Sequence, residues 1–393
     1  MFTIGTQDFL DAQDLHDYLS QGYDFQGKWS RHEDLLHPIQ CLINEGAGNL
    51  AYALFGSSNF ELDLSKYNTF TDTIYSAFDY NTPATEKNTA FFRYLVSNTK
   101  NINKEIKGKT LLSHGFSSGL APEFISLLIN AGCNINYKDS TNSGYLHQII
   151  DSYWHVIIEE TKLVWFVLLI EAGININQKN NDGETPLIYA IKKRNYQYIK
   201  TLMNNGADPN ETDNYKCSAF YYVISYGDRN EAFDLMKKYA IPDFEMINCY
   251  GETSFIAFMK RFKGNNSDLQ LLSKLIELGA SFSQTATGHY GEIISAISLL
   301  ANKSLEVLKF VLDKGFIDVH IKDSNGDTLL HKVCTSYTAG DRETAKNVYR
   351  KAKLLIDAGA DPNALNNKNQ TPTTLALLDH AKRKTVELLL AMS

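Results

Sequence analysis

The stretch DGETPLIYAIKKRNYQYIKTLMNNGADPN, Asp182 to Asn210, carries the local signals from which the fold of this chain can be read. Thr185 can cap a helix through its hydroxyl, and Pro186 falls in the first turn, where its missing N–H costs nothing. Leu187, Ala190 and Ile191 then share one helical face, and Ile199, Leu202 and Met203 repeat the spacing on a second helix. Gly206 follows that helix at the place where a left-handed residue ends it most cheaply. Asp182-Gly183 supplies a tight turn in front. The stretch therefore reads as a helical hairpin between two turns. A single hairpin cannot bury its apolar face alone, so it needs copies stacked beside it.

Copies are present. NGDTLLHKV begins at Asn325, and LLIDAGADPN closes a unit at Leu354 to Asn363. Further closings are LLINAGCNIN (Leu127 to Asn136), LLIEAGININ (Leu168 to Asn177) and LIELGASF (Leu275 to Phe282). These residues resemble the ankyrin repeat, with its GxTPLHxA opening and LLxxGAxxN close. The resemblance covers nearly the whole chain and implies an all-α ankyrin-repeat solenoid of about ten repeats, each a helix-turn-helix unit with a β-turn finger. With the threonine of TPLH as ruler, successive slots fall at Asp34, Asp72, Thr110, Gly144, Thr185, Cys217, Thr253, Gly291, Thr328 and Thr371. The steps run from 32 to 43 residues, mostly longer than the usual 33 or so, so several helices or loops are stretched. DLHDYLSQGYDF (Asp14 to Phe25) reads as half a repeat. The expected organisation is a capping segment over 1–33, degenerate repeats over 34–105, where Thr99 replaces a closing glycine, and regular repeats with a C-terminal cap over 106–393.

Composition narrows the function classes. The formal charge of -7 and pI near 5.8 offer no broad basic face for a phosphate backbone, which argues against nucleic acid as partner. The longest apolar run, Leu163 to Ile170, is far short of the roughly 20 residues that cross a bilayer, so membrane insertion is not expected. The N-terminus lacks a basic segment ahead of an apolar one, which points to a cytosolic chain. Five widely spaced cysteines without a CxxC pair read as reduced thiols.

Candidate chemistry resolves into the repeat. His37, His147 and His331 occupy the histidine slot of TPLH, which in the family bonds the backbone of the adjacent turn. His32-Glu33 with His37 has one residue too many for the two-histidine zinc helix. Gly108-Lys109-Thr110 imitates the end of a phosphate loop, but Asn103 stands where its first glycine belongs. No catalytic, cofactor or metal residue is expected. The rival expectation is an enzyme whose chemistry sits in the irregular first 105 or so residues, with the repeats docking its substrate.

The resemblance implies a protein partner held on the concave face, at slots just before the Thr position and seven or eight residues after it. These are Ser140, Thr141, Asp151 and Ser152 in unit four; Asn181, Asp182, Glu184, Lys192 and Lys193 in unit five; Asp213, Asn214 and Lys216 in unit six; and Glu252, Lys260 and Arg261 in unit seven. Tyr215, Tyr250 and Tyr290 near successive fingertips are expected either to anchor a partner or to pack against the neighbouring finger. Lys192, Lys193 and Arg194 beside Lys260, Arg261 and Lys263 suggest a place for an acidic segment. A monomer is expected. Abundant Asn, Lys, Ile and Tyr with eroded repeats resembles ankyrin effectors that intracellular bacteria deliver into host cells, which would place the partner and the chain in host cytoplasm.

Overall fold

The computed structural model describes residues 62–63, 78, 81–97, 99–105, 108–152, 157–226, 230–287, 291 and 293–392. The chain divides into two compact units, one ending at Asn181 and one beginning at Asp182. Both are built from helical hairpins, so the described residues are all-α apart from short finger strands.

In the first unit, β1 (Leu62–Asp63) pairs in parallel with β2 (Thr99–Lys100). Five helices follow one another: α1 (Glu86–Ser97), α2 (Leu111–Ser118), α3 (Pro122–Asn130), α4 (Tyr145–Asp151) and α5 (Glu159–Glu171). The second helices α1, α3 and α5 pack in order. Their seam begins with Phe78, Phe92 and Phe124, whose ring centroids lie 4.8 to 5.3 Å apart. Each such pair adds about 1 kcal/mol beyond the area it buries. Thr99, in the slot of a closing glycine, instead donates its hydroxyl to the Leu95 carbonyl at 2.6 Å and so satisfies the end of α1. Trp165 lies fully inside and donates its indole N–H to the Leu120 carbonyl at 3.1 Å. Trp154 lies outside the described residues.

The second unit contains α6 (Pro186–Lys192), α7 (Tyr196–Asn204), α8 (Ala219–Tyr226), α9 (Asn230–Met236), α10 (Ser254–Arg261) and α11 (Asn266–Glu277). An antiparallel ribbon, β3 (Thr285–Thr287) with β4 (Ile293–Ser295), comes next. It leads to α12 (Ala296–Ala301), α13 (Leu305–Asp313), α14 (Leu329–Thr335), α15 (Arg342–Asp357), α16 (Pro372–Ala376) and α17 (Arg383–Ala391). Thr185, Thr253, Thr328 and Thr371 cap their helices as the sequence predicts, each hydroxyl accepting the third amide of its helix. Two slots are displaced. In unit six the cap is Ser218, which accepts the Tyr221 amide at 3.2 Å, because the finger held by Asp213 places Cys217 in the turn and Ser218 one residue later at the helix start, as Asp323 places Asp327 and Thr328. In unit eight it is Ser295, not Gly291: the ribbon lengthens the finger, and Ser295 with Ser298 forms a reciprocal capping box. The glycines that close the second helices, 132, 173, 206, 279, 315 and 359, all have positive φ, as a left-handed helix end requires.

Buried or half-buried cations tie consecutive hairpins together. Arg261 donates to the Ile224 carbonyl at 2.6 Å, Lys303 to Phe262 at 2.7 Å, Lys351 to Ala301 at 2.8 Å and Lys382 to Cys334 at 2.7 Å. Each reaches the last turn of the first helix in the preceding hairpin. There the unpaired carbonyls and the negative end of the helix dipole favour a positive charge. The segment 341–353 carries the amphipathic start of α15, with Lys351 inside.

Candidate partner-binding surface

Each finger is held by one side chain. Asp139, Asp213, Asn248, Asp323 and Asn366 turn an oxygen back onto the amides two and four residues ahead, at 2.8 to 3.1 Å. Neighbouring fingers are joined through the backbone. In the first unit the Asn181 amide donates to Thr141 O; in the second, Asn214 donates to Asp182 O, Cys249 to Tyr215 O and Asn367 to Asn325 O, all at 2.9 to 3.0 Å. The tips are therefore ordered by their bases and by the backbone bonds between neighbouring fingers.

Beneath the tips, the slots before and after the helix start are bonded to each other. Lys192 lies 2.5 Å from Glu184 and 3.5 Å from Asp213, and 4.2 Å above the Tyr222 ring. Burial by itself would lower the pKa of its ammonium, but Glu184 and Asp213 outweigh it and hold the pKa above the ordinary lysine value. Tyr222 gives its hydroxyl proton to Asp213 at 2.5 Å, and burial together with that carboxylate raises the phenol pKa. Lys260 pairs with Glu252 in the same way. Lys332 lies 2.8 Å from Asp323 and 2.7 Å from Asp327.

These pairs correct the expected contact list. Glu184 and Asp213 are buried, with 7% and 5% of their surface exposed, so neither can meet a partner. Lys192, Glu252 and Lys260 are already engaged. Arg261 lies over the Phe258 ring with its guanidinium on Ile224 O, so the expected basic face for an acidic segment does not form from Lys192, Lys260 and Arg261. Lys193 is exposed and rests 5.2 Å above Tyr189. Ser140, Thr141, Asn181, Asp182, Asn214 and Lys216 stand exposed at the tips. Tyr215 and Tyr250 are about half exposed, at 49% and 50%, and stack on each other with centroids 6.0 Å apart and planes 11° from parallel. Tyr290 lies outside the described residues.

In the first unit, Asp151 and Ser152 line an open groove of about 390 Å³ with Gly108, Lys109, Ser113, Ser117, Tyr137, Asp139 and Gln148. The groove runs over the exposed sides of α2 and α4 and is walled by fingertip residues. Its lining mixes hydroxyls with both signs of charge.

The histidine slot is structural where the structure is most explicit. The Thr328 amide donates to Nδ1 of His331 at 3.1 Å, so that nitrogen carries no proton and Nε2 donates to the Gln370 carbonyl at 3.1 Å. Burial keeps the pKa of this ring below its ordinary value. His147 is buried in the equivalent place, while His37 lies outside the described residues, as do His32, Glu33 and Cys41. Among the described residues no three of His, Cys, Asp and Glu are grouped to hold a metal, and no helix is long and apolar enough to cross a membrane. Most of the region assigned to the rival enzyme also lies outside the described residues.

The family model for ankyrin repeats in many copies matches residues 169–223. The ANK repeat-containing protein nipk-1 of Caenorhabditis elegans is 27% identical over 201 residues, covering 48% of this chain and 32% of that protein. NF-kappa-B inhibitor delta of Mus musculus is 24% identical over 213 residues, covering 50% of this chain and 63% of that one. The chain thus spans about a third of the length of the first relative and under two thirds of the second. Among solved structures, the ankyrin repeat domain of Bcl-3 is similar at 19% identity and a TM-score of 0.48, covering 64% of this chain and 100% of that one.

Proposed function

We propose, from the premise that this chain is an ankyrin-repeat protein, that it works without catalysis by holding a protein partner on its fingertips and the exposed sides of its first helices. The observation that carries this reading is the division of labour in the fingers. Acidic and basic groups at the finger bases are consumed in pairs such as Glu184 with Lys192, while large side chains such as Tyr215 and Tyr250 are presented outward on tips that the backbone holds in place. Rigid aromatic area exposed on an ordered scaffold is the usual anchor of a protein interface. An interface of standard size, about 1,600 Å² in total, would span several fingers. The narrower reading, a translocated effector that acts on a host protein in host cytoplasm, rests on composition and repeat erosion alone.

Cross-linking mass spectrometry on the full chain, after capture from host-cell and from bacterial lysates, tests both readings. Cross-links from a captured protein to Lys109, Lys193 or Lys216 support the surface. Cross-links confined to second-helix lysines such as Lys200 and Lys274 refute it. Capture from bacterial lysate alone refutes the effector reading.

A further inference from the structure

The third residue after each finger-holding side chain has positive φ in every described finger. The residues there are Asn142, Lys216, Gly251, Gly326 and Asn369, and the matching turn of unit five has Gly183. Glycine takes this conformation freely, and asparagine tolerates it because its short amide can bond locally. Lysine has neither advantage, and Lys216 nevertheless stands at φ 56. A side chain kept where the backbone disfavours it points to a role for the side chain itself.

That role is not internal. Lys216 is exposed, and its ammonium makes no hydrogen bond or ion pair among the described residues. One carboxylate of its own finger and one of the next finger are already engaged elsewhere: Asp213 is held by Lys192 and Tyr222, and Glu252 by Lys260. Beside it is the Tyr215–Tyr250 stack, whose hydroxyls also make no hydrogen bond among the described residues. The fingertip of unit six and its neighbour thus present one uncompensated cation next to a flat aromatic ledge fixed by the Cys249 N–H to Tyr215 O bond at 2.9 Å.

We infer that this pair of tips is the anchoring point for an acidic segment of the partner protein, with a carboxylate on Lys216 and a flat or apolar side chain against the two tyrosines. The inference rests on the interaction reading above and gives it a location and a chemistry. It differs from the basic face expected from Lys192, Lys193 and Arg194 beside Lys260, Arg261 and Lys263, of which Lys192, Lys260 and Arg261 are engaged internally.

The test is selection of random dodecapeptides displayed on phage against the immobilised full chain, followed by binding of the synthetic winner. Winners enriched in Asp and Glu beside aromatic or proline residues are expected. Their affinity should fall about tenfold or more with Lys216→Gly and with Tyr215→Ala, and survive Lys216→Arg. Lys216→Gly should at the same time raise the urea midpoint, since glycine relieves the backbone. Neutral or basic winners, tighter binding of a single-stranded oligonucleotide than of any peptide, unchanged affinity in Lys216→Gly, or an unchanged midpoint would each overturn the inference. Peptides that bind but ignore the fingertip variants leave the interaction reading standing and sink this one; a selection that enriches nothing sinks both.

Discussion

Replacing Gly326 by alanine adds one methyl group where two fingers meet, and the same change at Gly359 adds it where nothing stands in the way. Both glycines have positive φ, 73° and 93°. A left-handed alanine costs about 1 kcal/mol at either place. At Gly359 the new Cβ meets no atom within 4 Å, so that cost is the whole effect. At Gly326 the Cβ would lie 2.8 Å from the Asn367 amide nitrogen and closer still to its Oδ1. The fingers must part, which breaks the Asn367 N–H bond to Asn325 O and the Asn367 side-chain bond to Ser324 O, both 3.0 Å. Two hydrogen bonds at about 1 kcal/mol each bring the expected loss to about 3 kcal/mol, against about 1 kcal/mol for the control. Urea denaturation of both variants measures the difference. Repeat arrays unfold in parts, so amide exchange at Asn367 identifies the transition that carries these hairpins. Equal losses in the two variants, or unchanged protection at Asn367 in Gly326→Ala, would refute the claim that the finger contact depends on the close approach of the chain at Gly326.

Lys382→Met should cost about 2 kcal/mol in the same denaturation experiment, because it orphans the buried Cys334 carbonyl; a neutral result would show that the cation is dispensable. For Asp327, burial would raise the carboxyl pKa, but hydrogen bonds from Lys332 and Asn366 outweigh it and leave the pKa below the usual carboxylate value. A depressed carboxylate contributes stability above its unfolded pKa of about 4 and loses it as pH falls through the folded pKa. The urea midpoint of the wild type should therefore drop more steeply below pH 4 or so than that of Asp327→Asn. Burial pushes the thiols of Cys133, Cys217 and Cys334 up to about 12, whereas Cys249 is exposed. Iodoacetamide at mildly alkaline pH should therefore label Cys249 in the native protein and spare those three, as peptide mass mapping would show.

Much of the fold was legible because the signals that make it are local. The hydroxyls of Thr185, Thr253, Thr328 and Thr371 and the closing glycines act within a few residues of themselves, so their meaning survives without a partner in view. The two misplaced helix starts show the limit of that reading. Counting from the repeat put one at Gly291, but the segment pairs into a ribbon before the helix begins. Only the contact between β3 and β4 moves the start to Ser295. At the candidate surface, Tyr215, Tyr250, Asn214 and Lys216 are exposed because fingertips project whatever lies beneath them. Glu184 and Asp213 are buried, and nothing in a polar residue's identity says whether its charge is spent.

The sequence by itself determined the hairpin, its period and the side chains at each tip, all of them consequences of backbone preference and of apolar spacing over a few turns. The tertiary structure alone decided which of the polar residues remained available. The groups that neutralise Asp213, satisfy the Cys334 carbonyl or leave Lys216 unmatched come from other helices or neighbouring hairpins, and electrostatic and hydrogen-bond partnership is settled by distance in space rather than by separation along the chain.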